Sequence, residues 1–220
     1  MTETRSESVE MYLKTVAELG GEHAPVSIGR VAGRLGISPV SASEMMKRLG
    51  DLGYIQHLPY KGVELTGEGR QLANSVIRRQ RLWECFLVDQ LDIDWAQSYD
   101  LACSLEHATA PQVTQALSNY LENPRRCPHG NPIPNETGET ENLLSMPLTD
   151  LQLNKNCRIE AIVPENSDIL SYLAERKLWP GTELTLIAAA PLEGPLTLLV
   201  GEDEIVIGLN LAERILVSQG

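Results

Sequence analysis

Residues 27–55 read SIGRVAGRLGISPVSASEMMKRLGDLGYI, and this stretch decides the architecture. Ser27 is an N-cap candidate for a helix that carries Ile28, Val31, Ala32 and Leu35 on one face. Gly36-Ile37 supplies a turn. Ser38 is a second N-cap candidate, and Pro39 suits the first helical position. The second helix is then expected to bury Val40, Met45 or Met46, Leu49 and Leu52. Two helices at this short spacing make a helix-turn-helix of the kind that reads DNA. Just downstream, YIQHLPYKGVELTGEGR (54–70) predicts two strands around Tyr60-Lys61-Gly62, with Thr66 capping the next helix. A hairpin in that place is a wing, and Lys61 at its tip is set to meet a phosphate. The candidate DNA-contacting residues are Ser27, Arg30, Ser38, Pro39, Val40, Ser41, Ser43, Glu44, Lys47, Arg48 and Lys61. Short hydroxyls and small apolar groups suit groove entry. Glu44 either accepts from a cytosine amino group or faces solvent. The competing reading is a pair of ordinary hairpins with no DNA role. Helix, turn, helix and wing arriving in order argue against it.

Charge supports a division of labour. The chain has 220 residues with a formal net charge of −12, which excludes a protein that coats nucleic acid by its overall positive charge. The charge is uneven, however. Residues 25–82 hold nine Lys+Arg against four Asp+Glu, while residues 83–220 have a net charge of −14. Positive charge thus collects where the winged helix is predicted, and the acidic remainder discourages non-specific DNA contact. The N-terminus MTETRSESVE lacks the apolar core of a signal peptide. No apolar run approaches the roughly 18 residues needed to span a bilayer. The four cysteines, Cys85, Cys103, Cys127 and Cys157, form no CxxC pair. A cytoplasmic protein with reduced thiols is expected.

Pattern divides the rest. A winged helix-turn-helix domain is expected over 1–66 and a helical metal-binding and dimerisation domain over 67–142. A linker over 143–156 and a small β-rich domain over 157–220 complete the division. The stretch from Pro124 to about Asn156, with CPHGNPIPN and ETGETEN, is rich in Pro, Gly and polar residues and reads as a linker with ordered ends. After it come CRIEAIVPE, GTELTLIAAA, LTLLVG, DEIVIGL and ERILVSQ, with a helix near Asp168–Lys177. A small β-barrel is the natural expectation.

SYDLACSLEHAT (98–109) carries Cys103, Glu106 and His107 at i, i+3 and i+4, within an arc of about 100° on one helix. Leu101, Leu105 and Ala108 lie opposite and are expected to take the packing. Thiol, carboxylate and imidazole on one face make a ligand set for a transition metal. The plainer reading is one core cysteine beside a solvated Glu-His pair. In the N-terminal helix SVEMYLKTVAELG, the apolar stripe is Val9, Tyr12, Leu13, Val16 and Leu19, and Met11 lies about 140° from its centre. A thioether off its own core stripe is a further donor candidate. The mixed soft and hard set suits Fe(II) and would also take Co(II), Ni(II) or Zn(II).

Taken together, EMYLKT, the winged helix, RLWECFL, DLACSLEH and HGNPIP (129–134) closely resemble the diphtheria toxin repressor and iron-dependent regulator family. The resemblance extends over nearly the whole chain. It implies a mainly α fold with a small β part: a winged helix-turn-helix, a helical dimerisation domain and a C-terminal SH3-like (FeoA-like) barrel. It implies a primary metal site at Met11, Cys103, Glu106 and His107. Members favouring manganese carry acidic residues at the positions of Met11 and Cys103, so the resemblance and ligand softness together favour Fe(2+) over Mn(2+). The family's ancillary site maps onto Gln80, Glu84 and Tyr99, of which only Glu84 matches, and onto the neighbourhood of Asn166 and Ile169. That site is expected to be absent, weak or rebuilt. Cys127 and His129 are read as loop structure first, and as an accessory metal or redox pair second.

The implied function is a homodimeric, cytoplasmic, metal-dependent DNA-binding regulator that acts on palindromic double-stranded operators. It represses metal-uptake genes when metal is bound. Alternatives are a manganese-responsive regulator of the same family, or a winged-helix regulator sensing redox state through Cys103. An enzyme using Cys103 and His107 is disfavoured, because both sit on one helix face with no orienting third group and no phosphate-binding Gly loop.

Overall fold

The structure is a computed structural model that describes residues 7–163 and 166–219. The start of the chain, on which the signal-peptide reading rests in part, lies outside the described residues. The chain forms two compact units. Unit 1 comprises Met1–Gln80, Glu106–Thr109 and Pro134–Thr140; unit 2 comprises Arg81–Leu105, Ala110–Ile133 and Glu141–Gly220.

Unit 1 holds α1 (Glu7–Glu18), α2 (Ile28–Leu35), α3 (Pro39–Asp51), the hairpin β1 (Ile55–Leu58) and β2 (Gly62–Leu65), and the start of α4 (Gly67–Leu91). The caps fall where the sequence places them. Ser27 Oγ accepts from the Arg30 amide at 3.3 Å, and Ser38 Oγ accepts from the Ser41 amide at 3.1 Å. Each satisfies an amide that a helix start leaves without an intrahelical partner. Gly36 ends α2 in the left-handed conformation, with φ 65°. The Gly69 amide donates to Thr66 Oγ1 at 3.1 Å, so Thr66 caps α4. The two strands pair antiparallel from Ile55↔Leu65 to Leu58↔Gly62. Gly62 is required: its φ is +123°, and a Cβ there would collide with the Val26 carbonyl.

The core of unit 1 is aliphatic. Val9, Tyr12, Leu13 and Val16 of α1 meet Val31, Ala32, Ala42, Met46, Leu49, Val63 and Leu65. Full burial of residues such as Leu13 and Leu49 is worth about 2 kcal/mol each. Two expectations for α3 fail. Val40 is 69% exposed and Leu52 48% exposed. The helix packs through Ala42, Met46 and Leu49, a narrower stripe that turns Val40 outward with the serines.

Unit 2 contains the rest of α4, α5 (Ser98–Glu106) up to Leu105, α6 (Pro111–Tyr120) and the β part. The β part runs β3 (Met146–Pro147), β4 (Asn156–Ile162), α7 (Ser167–Glu175), β5 (Glu183–Ala189), β6 (Leu196–Val200), β7 (Asp203–Ile207), α8 (Leu209–Ala212) and β8 (Ile215–Gln219). These strands form one antiparallel sheet in the order β3-β8-β4-β5-β6-β7. Irregularities at Ile159/Ala161 and Leu186/Ala188 bend it. Its core includes Leu148, Ile159, Ile162, Leu170, Leu173, Leu178, Leu198, Ile207 and Ile215.

Two further expectations need correction. The stretch 143–156, read as linker, contributes to the sheet. Met146 and Pro147 pair with β8, and Leu148 and Leu151 are buried in the core. Polar composition hid two anchoring leucines. On α5, Leu101, Leu105 and Ala108 do not take the packing: all three are exposed, while Ala102 and Glu106 are buried. The face read as donor-bearing is the inward one.

Candidate metal centre and DNA-binding face

All eleven candidate DNA-contacting residues are exposed: Ser27, Arg30, Ser38, Pro39, Val40, Ser41, Ser43, Glu44, Lys47, Arg48 and Lys61. Ser27 and Ser38 spend their side-chain oxygens on helix caps, and Ser38 Oγ also lies 2.9 Å from Ser41 Oγ. Val40, Ser43, Glu44, Lys47 and Arg48 remain as the outward-facing chemistry of α3. Lys61 follows Tyr60, whose φ is +62°, at the hairpin tip.

Within unit 1, α1 and the residues at the end of α5 build a charged cluster. Lys14 Nζ donates to both Glu106 oxygens, at 2.8 and 2.9 Å. His107 Nε2 lies 3.3 Å from Glu106 Oε1. Its other nitrogen, Nδ1, lies 3.1 Å from Glu10 Oε2, which also accepts from Arg79 Nη2 at 2.7 Å. Burial pushes the Glu106 carboxyl up, opposed by the charge and hydrogen bonding of Lys14 and by the charge of His107. Met11 is 39% exposed on α1, and its carbonyl accepts from Thr15 Oγ1 at 2.8 Å. Cys103 is half-buried, three residues before Glu106 on α5.

The donor chemistry of two of the four expected ligands, the Glu106 carboxylate and the His107 imidazole, suits a divalent ion once Lys14 leaves the carboxylate. Glu106 Oε1 and His107 Nε2 lie 3.3 Å apart, and Glu10 lies against the remote nitrogen, a partner of the kind that metal-binding imidazoles have. A cation, Lys14, already neutralises Glu106. The orienting Glu10–Arg79 pair was missed in the sequence, although Glu10 directly precedes Met11.

Unit 2 holds a second cluster. One ligand atom each from Glu84, Cys127 and His129 lie within 4.8 Å of one another, and all three residues are buried. His129 Nε2 lies 2.9 Å from the Trp95 carbonyl, which can only accept, so Nε2 carries the proton. Nδ1 then faces Glu84 Oε2 at 3.2 Å and Cys127 Sγ at 3.9 Å. In neutral histidine that nitrogen is a lone pair aimed at a carboxylate. Such a contact needs a bridging proton or a metal cation, and the donor set, imidazole, thiol and carboxylate, suits a transition metal.

The loop bearing this cluster is fixed at several points. The Ile162 amide donates to the His129 carbonyl at 3.1 Å and Asn131 Nδ2 to the Ile162 carbonyl at 2.9 Å. Gly130 has φ +85°, and a Cβ there would meet the Glu160 carbonyl. Trp95 stacks edge-on against both His129 and Trp179. Burial, then the neighbouring Cys127 and Glu84, push the Cys85 thiol far up, and burial pushes Cys157 up to about 11.

Glu84, the one matching residue of the ancillary position, groups with Cys127 and His129, the pair whose second reading is an accessory metal or redox pair. Gln80 is buried, and Tyr99 packs against the core of the sheet. Asn166 is occupied as the α7 cap, accepting from the Asp168 and Ile169 amides, and Ile169 packs on the core. The CxH spacing was the available signal. The missing partner lay 43 residues before Cys127 in the sequence.

A winged helix, a donor-bearing helical part and a small β domain in one chain define a metal-responsive DNA-binding regulator. Three family models match in sequence. They are the iron dependent repressor N-terminal DNA binding domain over residues 5–63, the iron dependent repressor metal binding and dimerisation domain over 66–135, and the FeoA domain over 146–219. The chain is 26% identical over 225 residues to the iron-dependent repressor IdeR of Mycobacterium leprae, covering 97% of each. It is 37% identical over 128 residues to the diphtheria toxin repressor of Corynebacterium glutamicum, spanning 58% of this chain and 56% of that relative. A manganese-dependent transcriptional repressor solved in complex with manganese matches with a TM-score of 0.88 at 27% identity, covering 96% of this chain and 100% of that one. The IdeR structure from T. acidophilum matches with a TM-score of 0.84 at 28% identity, covering 98% and 100%. The chain belongs to the iron-dependent repressor family of metal-dependent transcriptional repressors. That family is not one of enzymes, and no described helix is long and apolar enough to cross a membrane.

Proposed function

We propose that this chain is an Fe(II)-dependent repressor that acts from the cytoplasm on palindromic operators of metal-uptake genes. Met11, Cys103, Glu106 and His107 are its activating ligands. The observation that carries the reading is the convergence of Glu106 and His107 Nε2, with Glu10 of α1 holding Nδ1. A bound divalent ion would supply the charge and directed bonds that tie donors on α1 and α5 into one geometry. Glu10 fixes the His107 tautomer, and Glu106 and His107 present oxygen and nitrogen. Met11 and Cys103 add the soft donors that favour iron over manganese. In a homodimer the two α3 helices must meet half-sites one helical turn apart, so a fixed α1 selects the DNA-competent arrangement. The exposed Leu101, Leu105, Val113 and Tyr120 offer the apolar surface for the dimer. Glu84, Cys127 and His129 form a second, accessory site. The domain division is 1–66, 67–142 and a β domain that begins before 157, at the β3 strand.

The test is anaerobic. Duplexes selected by the Fe(II)-loaded protein from a random pool are titrated with protein in the presence of Fe(II), Mn(II) or chelator. DNA affinity should rise with Fe(II) and fall on chelation. Affinity indifferent to metal would sink the reading, and loss only on peroxide treatment would favour redox sensing at Cys103.

A further inference from the structure

The Lys14–Glu106 pair does more than neutralise a buried charge. Its side chains are 8% and 2% exposed, and the ammonium is bound to both carboxylate oxygens. Those are the oxygens that Glu106 would offer to a divalent ion. A metal on Glu106 and an ammonium in hydrogen-bond contact with the same carboxylate would lie within a few ångströms of each other, where like charges repel strongly in a poorly solvated site. The cluster's other cations are engaged elsewhere: Arg79 holds Glu10, and Arg34 lies 3.5 Å from Glu18. Lys14 sits on α1 three residues after Met11, so the helix that carries the soft donor also carries the cation on Glu106.

We propose that Lys14 is a tethered competitor of the activating metal: it holds Glu106 in the metal-free protein and must release it when metal binds. This rests on the assignment of Glu106 and His107 as ligands. Lys14 therefore weakens metal binding and sets the concentration at which the regulator responds. It also protects the metal-free fold from an unpaired buried carboxylate.

The experiment uses the full chain carrying Cys127→Ser, so that thiolate-to-cobalt absorption reports Cys103 alone. Anaerobic Co(II) titration should give about tenfold tighter binding for Lys14→Leu than for its parent, and Lys14→Arg should restore the weaker binding. Lys14→Leu without metal should melt lower than its parent. Equal or weaker Co(II) binding by Lys14→Leu, with His107→Ala abolishing the signal, overturns the competitor and leaves the site standing. His107→Ala binding like the parent overturns both. The unsubstituted chain supplies an independent measurement. With 15N-lysine labelling, the protected Lys14 ammonium resonance should be present without metal and lost with Zn(II). Its persistence in the Zn(II)-loaded protein overturns the proposal.

Discussion

The two candidate centres use their histidines in opposite senses. In unit 1, His107 Nδ1 lies against a carboxylate, that of Glu10, and Nε2 lies against Glu106, its proposed fellow ligand. In unit 2, His129 gives Nε2 to a backbone carbonyl, that of Trp95, and keeps Nδ1 for Glu84 and Cys127. Surroundings differ too. The His107 side chain is 16% exposed and that of His129 is 0%. A carboxylate partner makes an imidazole the stronger donor, and partial exposure lets a metal exchange. A buried loop histidine anchored to the main chain resists exchange and stiffens its loop. On the proposed reading the first centre senses the metal, and the second, accessory one also supports its loop.

The strongest way to break that assignment is His107→Ala. DNA binding by the metal-loaded variant should fall to the metal-free level, a loss of order 100-fold at most couplings of this kind. Duplex titration with and without Fe(II) measures it. Retained metal stimulation would place sensing elsewhere. His129→Ala is its counterpart. It should lower the stability of the metal-free chain by about 2–3 kcal/mol in urea unfolding, because buried partners lose their hydrogen bonds. Metal stimulation of DNA binding should survive. If it vanishes while the fold holds, the second centre is a sensor as well.

What the sequence revealed follows the same line. The winged helix was legible because its determinants are local: Ser27, Ser38 and Pro39 act within one turn, and the hairpin closes over a few residues. The pairing of Glu106 with His107 was legible from helical spacing. Lys14 and Arg79 were not, since a lysine or arginine on an amphipathic helix ordinarily faces water, and only tertiary packing turns these two onto Glu106 and Glu10. Glu84 with Cys127 and His129 joins a helix to a loop across a long separation, and no local pattern encodes that. Val40 and Leu52 misled because periodicity counts apolar residues without showing how wide the buried stripe is.

Met11→Asp replaces a thioether with a hard oxygen donor in the first centre only. The ratio of Fe(II) to Mn(II) affinity should fall by about tenfold. Competition between the two ions, followed by metal analysis of the protein, reads the ratio. An unchanged ratio would mean that donor softness at Met11 does not set the preference.

A carboxylate, Glu160, helps to hold the loop of the second centre. Arg126, next to Cys127, donates to Glu160 Oε2 at 2.7 Å, and Ser218 Oγ donates to Glu160 Oε1 at 2.7 Å. Burial alone would raise the Glu160 carboxyl, but these hydrogen bonds and the charges of Arg126 and Arg158 hold it below the ordinary carboxylate range. A carboxyl lowered on folding contributes stability that is present above its unfolded value and lost as pH falls through its folded value. The contribution should therefore be intact at neutral pH and fade only below the ordinary carboxylate range. Because both Glu160 and Arg126 are partly solvated, it amounts to less than about 1 kcal/mol. Urea unfolding of Glu160→Gln beside the parent, from neutral to acidic pH, should show a gap that narrows with acidification. A gap that widens toward acid would mean that Glu160 folds with a raised carboxyl and that the Arg126 contact does not hold the loop.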